Sequence, residues 1–139
     1  MYLGFLIQNA FGFPQRTSIK HHPKDVGSNV IVCSTREVCV LLIVGGTFGR
    51  QISLNLSLSS AHFICRARWA PQSSHLMAVA TNAFVKIFDL SKDVISPLYN
   101  FKPVTGIIVD FTFFRNAGEL ILAVLTDEGI IYIQQLGMS

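Results

Sequence analysis

The chain has 139 residues, a length that fits about one domain. Half of the residues are hydrophobic and 14% are charged, against about 25% charged in an average soluble protein. This composition excludes a disordered chain, a coiled coil and a solvated charged tail. The net charge is only +3, and no cluster of Lys and Arg with interleaved aromatic residues occurs, so nucleic acid is not an expected partner.

The cysteines and the apolar runs bear on cellular location. The chain has three cysteines, Cys33, Cys39 and Cys65, and no CxxC pair. An odd number without paired spacing favours a reducing compartment over a secreted disulfide scaffold. Residues 38–44 form the longest strongly apolar run, whereas a spanning helix needs about 20 apolar residues, so no transmembrane segment is expected. We therefore predict a cytoplasmic location.

Strand signals dominate the chain. Short runs rich in Val, Ile, Phe and Leu are broken by Gly, Pro, Asn, Asp and Ser, and no long segment has helical spacing. The gaps of two to seven residues are too short for crossover helices, which indicates antiparallel neighbours. The predicted strands are residues 29–34, 37–44, 51–58, 63–69, 75–81, 84–90, 98–102, 107–114, 119–126 and 130–136.

One predicted strand shows how its side chains divide between two faces. Cys65, Ala67 and Trp69 alternate with Arg66 and Arg68. Because successive side chains of a strand point to opposite faces, the first three are expected in the core. The two arginines are expected on the other face, with free guanidinium groups available to solvent or a partner.

A repeat runs through the second half of the chain. Trp69 lies 45 residues before Phe114, and residues 85–88 lie 45 residues before residues 130–133. Four strands in a period of about 40–45 residues are typical of a β-propeller blade. Gly129 belongs to the predicted tight turn before the third strand of the later unit.

The earlier unit resembles a degenerate WD-type blade. Residues 67–71 read Ala-Arg-Trp-Ala-Pro, and Phe88-Asp89 stands where such blades have a Trp-Asp pair. The predicted fold class is therefore all-β, with antiparallel four-stranded blades of a WD-like β-propeller. A single β-sandwich or open barrel with the same strand count is the alternative.

The predicted propeller is incomplete. Residues 1–28 are left unassigned, and residues 29–139 form the partial propeller. It comprises one full blade at residues 62–103, with partial blades at residues 29–58 and 107–136. The smallest ring needs about four blades of ~40 residues, so we expect a fragment or one section of a longer chain.

No motif indicates catalysis, a cofactor or a metal. The candidate metal ligands His21-His22, His62 with Cys65, and Cys33 with Cys39 lack zinc-type spacing. No G-x-S-x-G motif occurs. We therefore predict no catalytic, cofactor-binding or metal-binding residue.

Two aspartates remain open to a functional interpretation. Asp110 lies in an apolar run, where a buried carboxylate is unfavourable unless it is hydrogen-bonded. Asp110 and Asp89 could each be an active-site acid, but we favour a structural role for both. With Trp69 and Gly129 they are the predicted structural landmarks of the blades. A small enzyme with a site around Asp110 or His62 is the remaining alternative.

Residues 62–136 resemble a segment of the giant UBR-type ubiquitin ligases, called calossin or pushover in animals and BIG in plants. Residues 80–97 are its most specific part, and residues 29–61 are similar to the preceding stretch. The residues that carry the resemblance are Trp69-Ala70-Pro71, residues 76–81, residues 84–90, Asp93, Ser96-Pro97, Phe101, residues 110–113 and residues 129–132.

The resemblance implies a role in a very long protein of the N-degron pathway. The family recognises destabilising N-termini and transfers ubiquitin through zinc-binding Cys/His modules, which three scattered cysteines cannot build. It therefore implies a non-catalytic scaffold segment whose partners are other blades or modules of a longer chain. The resemblance also implies calmodulin or ubiquitin-system proteins as further partners. It is compatible with a membrane-associated or nuclear location for part of the protein. The alternative is a stand-alone adaptor that binds another chain through open blade edges.

Overall fold

The computed structural model describes residues 17–20, 27–73, 75–92 and 95–137. Within these residues all regular structure is β, with eleven strands and no helix. The strands form three separate sheets, and within each sheet every strand pairs in antiparallel fashion with its neighbours in the sequence. The prediction of an antiparallel all-β fold is confirmed.

The first sheet has four strands in sequence order. They are β1 (Thr17–Lys20), β2 (Gly27–Cys33), β3 (Val38–Val44) and β4 (Thr47–Leu54). β1 and the beginning of β2 lie within residues 1–28, which the sequence analysis left unassigned. The Gly45-Gly46 turn closes the β3–β4 hairpin, where both glycines have positive φ.

The second and third sheets follow the same meander. The second sheet consists of β5 (Ile64–Trp69), β6 (Leu76–Thr81), β7 (Val85–Asp89) and β8 (Pro97–Phe101). The third sheet consists of β9 (Ile108–Asn116), β10 (Glu119–Thr126) and β11 (Ile131–Gln135).

The second sheet lies between the other two and shares a core with each. All six residues of β6 are buried, because both faces of this strand meet a neighbouring sheet. The core between the first and second sheets consists of Ile31, Val38, Val40, Ile52, Leu54, Leu56, Ile64, Ala67, Trp69, Met77, Val79, Phe88 and Leu90. The core between the second and third sheets consists of Ala70, Leu76, Ala78, Ala80, Val85, Ile87, Ile108, Phe111, Phe113, Leu120, Leu122 and Val124.

Two cores between three sheets differ from the single core of a two-sheet sandwich. The strands that build each inter-sheet core either alternate between buried and exposed residues or are apolar along their whole length. The prediction that these sheets are propeller blades stays a prediction.

The first two strands of the second sheet pair in the same register as the first two strands of the third sheet. Trp69 pairs with Met77 in the second sheet, and Phe113 pairs with Leu122 in the third. Both sheets also have a register shift at the beginning of the first strand. Trp69 therefore corresponds to Phe113, and the predicted match with Phe114 was wrong by one residue. Trp69 and Phe113 are both buried, each against the preceding sheet, whereas Phe114 is exposed.

The same register shift moves Cys65 out of the core. Ile64 pairs with Thr81 and Arg66 pairs with Ala80, so Cys65 is the extra residue of a bulge. A bulge changes the phase of the alternation. The core face of β5 is therefore made of Ile64, Ala67 and Trp69, and Cys65 is exposed, contrary to the prediction.

Candidate interaction surface

One type of turn recurs in all three sheets and organises the contacts between them. A Ser or Thr at the end of a strand donates its N–H to a carbonyl at the beginning of the next strand. In the first two sheets, its hydroxyl also accepts N–H groups of the turn. The backbone bonds are Ser34 N to Glu37 O at 2.8 Å, Thr81 N to Phe84 O at 2.8 Å, and Thr126 N to Ile130 O at 3.0 Å.

The turn of the third sheet is one residue longer than that of the second. Gly129 occupies it with φ of +77°, and its N–H donates to the Thr126 carbonyl at 3.1 Å. Glycine adopts this conformation without the steric penalty of a side chain. The extra residue means that Val85 corresponds to Ile131, not to Ile130 as the sequence spacing suggested.

The residue after each Ser or Thr links one sheet to the next. The Thr35 carbonyl accepts the Ile64 N–H at 2.7 Å, where the second sheet begins. The Asn82 carbonyl accepts the Ile108 N–H at 2.9 Å, where the third sheet begins. Each new sheet therefore begins on the hairpin turn of the sheet before it.

The side chain of this turn residue holds the first strand of its own sheet. Asn82 Oδ1 accepts the Phe63 N–H at 3.0 Å. Asp127 Oδ1 accepts the Ile107 N–H at 2.8 Å in the third sheet. Asn82 and Asp127 thus occupy equivalent positions. Each side chain accepts the N–H of the residue just before the first strand of its own sheet.

The two predicted partner-facing arginines lie between the second and third sheets and are not free. The Nε atom of Arg66 is 3.2 Å from Asp110 Oδ1, and both side chains are 46% exposed. The Arg68 guanidinium lies 5.8 Å from the centre of the Phe111 ring. A half-exposed ion pair contributes little to stability, about 0–1 kcal/mol. The pair joins β5 of the second sheet to β9 of the third.

Asp110 is half-exposed, contrary to the burial expected from its apolar surroundings in the sequence. It lies on the outer face of β9, opposite Leu125, and its Oδ1 also accepts the Phe111 N–H at 2.8 Å. Alternation explains the error, because every second residue of this apolar strand points away from the core. The structural role favoured for Asp110 stays a prediction.

Asp89 lies at the end of β7 and is nearly buried, with 9% exposure. Its Oδ1 accepts the Ser91 N–H at 2.9 Å and the Ser91 hydroxyl at 2.6 Å. Burial raises the pKa of Asp89, but the Ser91 hydrogen bonds and the nearby His75 and Lys92 outweigh burial and lower the pKa below its usual value. The carboxylate is therefore held in its ionised form by the turn that follows β7.

We expect Asp89→Ala to destabilise the fold by roughly 1.5–3 kcal/mol, because it removes hydrogen bonds to a charged, nearly buried acceptor. Because folding lowers the pKa of Asp89, its carboxylate stabilises the fold at pH values above the pKa of about 3.9 that it has in the unfolded chain. The stabilisation is lost as pH falls through the lower pKa of the folded state. Thermal melts of the wild type and Asp89→Ala at neutral pH and at acidic pH measure both effects. An unchanged melt at neutral pH would contradict the structural role.

The outer face of the third sheet is apolar and open. We call it the open face. Asp110 and Glu119 lie at its two ends, and Arg68 lines a concavity there together with Thr112, Ala123 and Ile131. Exposure reaches 62% at Ile131 and 60% at Ile133. The open face consists of Thr112, Phe114, Ile121, Ala123, Leu125, Ile131 and Ile133, which the strand register places on one side.

Cys33, Cys39, Cys65 and His62 are the candidate metal ligands that lie within the described residues. In the described part of the chain, no three His, Cys, Asp or Glu side chains lie close enough to hold a metal. Burial, with smaller effects of Glu37 and Cys33, raises the pKa of Cys39 to about 11. Although Cys65 is largely exposed as a residue, partial desolvation of its thiol raises the pKa of Cys65, with Asp110 adding to the increase. His21 and His22 lie outside the described residues.

His62 takes part in local structure. Its Nδ1 accepts the Ser59 N–H at 3.2 Å, and its ring packs edge-on against Phe84 at 5.4 Å. Arg36 donates to the Ser59 and His62 carbonyls and so fastens the loop between the first two sheets. No helix of the length and apolarity needed to cross a membrane occurs among the residues that the structure describes.

Relatives of the chain are very long proteins. It is 36% identical over 110 residues to the protein purity of essence of Drosophila pseudoobscura pseudoobscura, and 39% identical over 99 residues to the auxin transport protein BIG of Oryza sativa subsp. japonica. It is 32% identical over 89 residues to a probable E3 ubiquitin-protein ligase of Dictyostelium discoideum. These alignments cover 76%, 69% and 62% of the chain.

The chain spans only about 2% of the length of each of these three relatives. No family model matches it. The names and the size of the relatives agree with the resemblance that the sequence showed. The chain is therefore homologous to one short segment of these very long proteins, in agreement with its resemblance to the giant UBR-type ubiquitin ligases.

Proposed function

We propose that the chain is a non-catalytic scaffold segment of a giant ubiquitin-ligase-family protein of the N-degron pathway. Its stacked sheets would be WD-like blades that form part of a propeller. The single observation that carries this proposal is the repeated link between sheets, in which each new sheet begins on the turn of the one before. Such a link supports the proposal that the sheets are copies of one unit in a longer stack.

The contacts of the candidate acids support a non-catalytic role. Asp110 pairs with Arg66, and Asp89 accepts two hydrogen bonds from Ser91. His62 accepts a backbone N–H and packs against an aromatic ring. Each polar group thus has a local structural partner. A rigid stack of this kind would present its loops and edges, Arg66 among them, to protein partners. By family likeness, calmodulin and ubiquitin-system proteins belong to that class.

The size of the native gene product tests the proposal. An antibody raised against residues 84–136 is used on a denaturing immunoblot, with excess immunising peptide as the specificity control. We expect a band of hundreds of kilodaltons, because this 15.4 kDa chain spans about 2% of its relatives. A band near 15.4 kDa would overturn the scaffold proposal. The chain would then be a stand-alone adaptor that binds a partner through its open edges.

A further inference from the structure

Residues of the open face occupy the same register positions in the third sheet as buried residues do in the second sheet. Ala80 pairs with Val85 in the second sheet, and Leu125 pairs with Ile131 in the third. Two residues further along the strands, the pair Ala78–Ile87 corresponds in the same way to the pair Ala123–Ile133. The three sheets therefore have a common side that looks toward the following sheet.

Exposure separates these equivalent positions sharply. In the second sheet, Val85 and Ile87 have 0% exposure because the third sheet covers them. Their counterparts in the third sheet, Ile131 and Ile133, are 62% and 60% exposed. In the first sheet Val38 and Val40 take these positions and are buried against the second sheet. A β-branched residue at both positions in all three sheets suits packing, not solvation.

The turn beside the open face carries an unused hydrogen-bond acceptor. The carbonyls of Thr35 and Asn82 each receive the N–H with which the following sheet begins. Asp127 is the corresponding residue of the third sheet. No residue that the structure describes donates a hydrogen bond to its carbonyl. The apolar face and the acceptor are separate features, and in the first two sheets the following sheet covers the face and donates to the acceptor.

From these two features we infer that the open face and the Asp127 carbonyl together bind a fourth antiparallel β-sheet belonging to the same long polypeptide. Its first strand donates an N–H to Asp127. Trp69 and Phe113 occupy equivalent positions and each packs against the preceding sheet, so the fourth sheet has a large aromatic residue at that position. This inference rests on the proposed stack but not on the absence of catalysis.

A second copy of the chain is the less suitable occupant. If a second copy stacked in the same direction, it would contact the open face with its first sheet, through the side of that sheet that faces away from the second sheet. Val32, Cys39 and Leu41 lie on that side and are already buried, with exposures of 0%, 1% and 2%. The length of the relatives, in contrast, leaves ample polypeptide for further sheets.

Thiol labelling of the native gene product tests the inference. Ile133→Cys places a thiol in the open face, and Val104→Cys is the matched control in a loop residue that is 87% exposed. Each variant is purified until one polypeptide remains, so that no other protein can cover the face. It is then labelled with a maleimide and analysed by peptide mass spectrometry. The same variants are labelled in the isolated 139-residue chain over a range of concentrations.

We expect Ile133→Cys in the native product to react at least about tenfold more slowly than Val104→Cys, because labelling then requires local opening. In the isolated chain both should react at similar rates at every concentration. Equal rates in the native product would overturn the inference while leaving the proposed scaffold role intact. Protection of the isolated chain that grows with concentration would also overturn it, because the occupant would then be a second copy.

Discussion

Phe88→Ala is expected to reduce the stability of the chain by about 3–5 kcal/mol, the usual range for removing a buried aromatic ring. Phe88 is 1% exposed and packs in the core between the first and second sheets. Its loss leaves a cavity between two sheets that are held apart by their other side chains, so the site cannot fully collapse. Urea denaturation followed by circular dichroism measures the change.

A second phenylalanine provides the control for that experiment. Phe48 lies in β4 and is 40% exposed. Phe48→Ala removes the same atoms from a surface position and should change stability by less than about 1 kcal/mol. Equal losses in the two variants would mean that Phe88 is not a core residue. Because a typical domain is stable by about 5–15 kcal/mol, Phe88→Ala should remain folded in the absence of denaturant at low temperature.

Much of this architecture could be predicted from residue patterns. Runs such as residues 119–126 alternate or are apolar throughout, and the short gaps between them exclude crossover helices. The strand order, the antiparallel pairing and the approximate repeat all follow from these local signals. Local sequence is informative here because hairpins join neighbours in the chain.

What the sequence did not reveal depends on single-residue insertions. A bulge at Cys65, matched by one at the beginning of β9, exchanges the two faces within the strand, and the turn after β10 has an extra residue at Gly129. The β9–β10 hairpin is also one residue longer than the β5–β6 hairpin, because nine positions separate Phe113 from its partner Leu122 and eight separate Trp69 from Met77. None of these insertions changes the residue pattern noticeably, so a constant spacing pairs Trp69 with Phe114 and strict alternation buries Cys65. Register depends on backbone pairing, and one residue of slip exchanges the two faces of a strand.

The open face was also missed, although a signal for it exists. The pairs Thr81-Asn82 and Thr126-Asp127 stand at the beginning of equivalent turns. Counting from these pairs, with one residue added for Gly129, aligns Val85 with Ile131. Only the structure adds that the first is covered and the second is not, since burial depends on a neighbouring sheet and not on the strand itself.

Val85→Asp and Ile131→Asp place the same charge at equivalent positions of consecutive sheets, and we expect opposite outcomes in the isolated chain. Val85 has 0% exposure, so its aspartate would be a buried carboxylate without a partner. This change should destabilise the chain by more than about 4 kcal/mol. Ile131 is 62% exposed, and its aspartate should change stability by no more than about 0.5 kcal/mol.

Threonine variants keep this comparison measurable if Val85→Asp fails to fold. Val85→Thr preserves the shape of the side chain but buries a hydroxyl, which should lower stability by about 1–3 kcal/mol. Ile131→Thr should lower it far less. Urea titrations of all four variants in the isolated chain give these differences. If Ile131 tolerated substitution no better than Val85, the third sheet would already be covered on both sides, and the stack of sheets would end there.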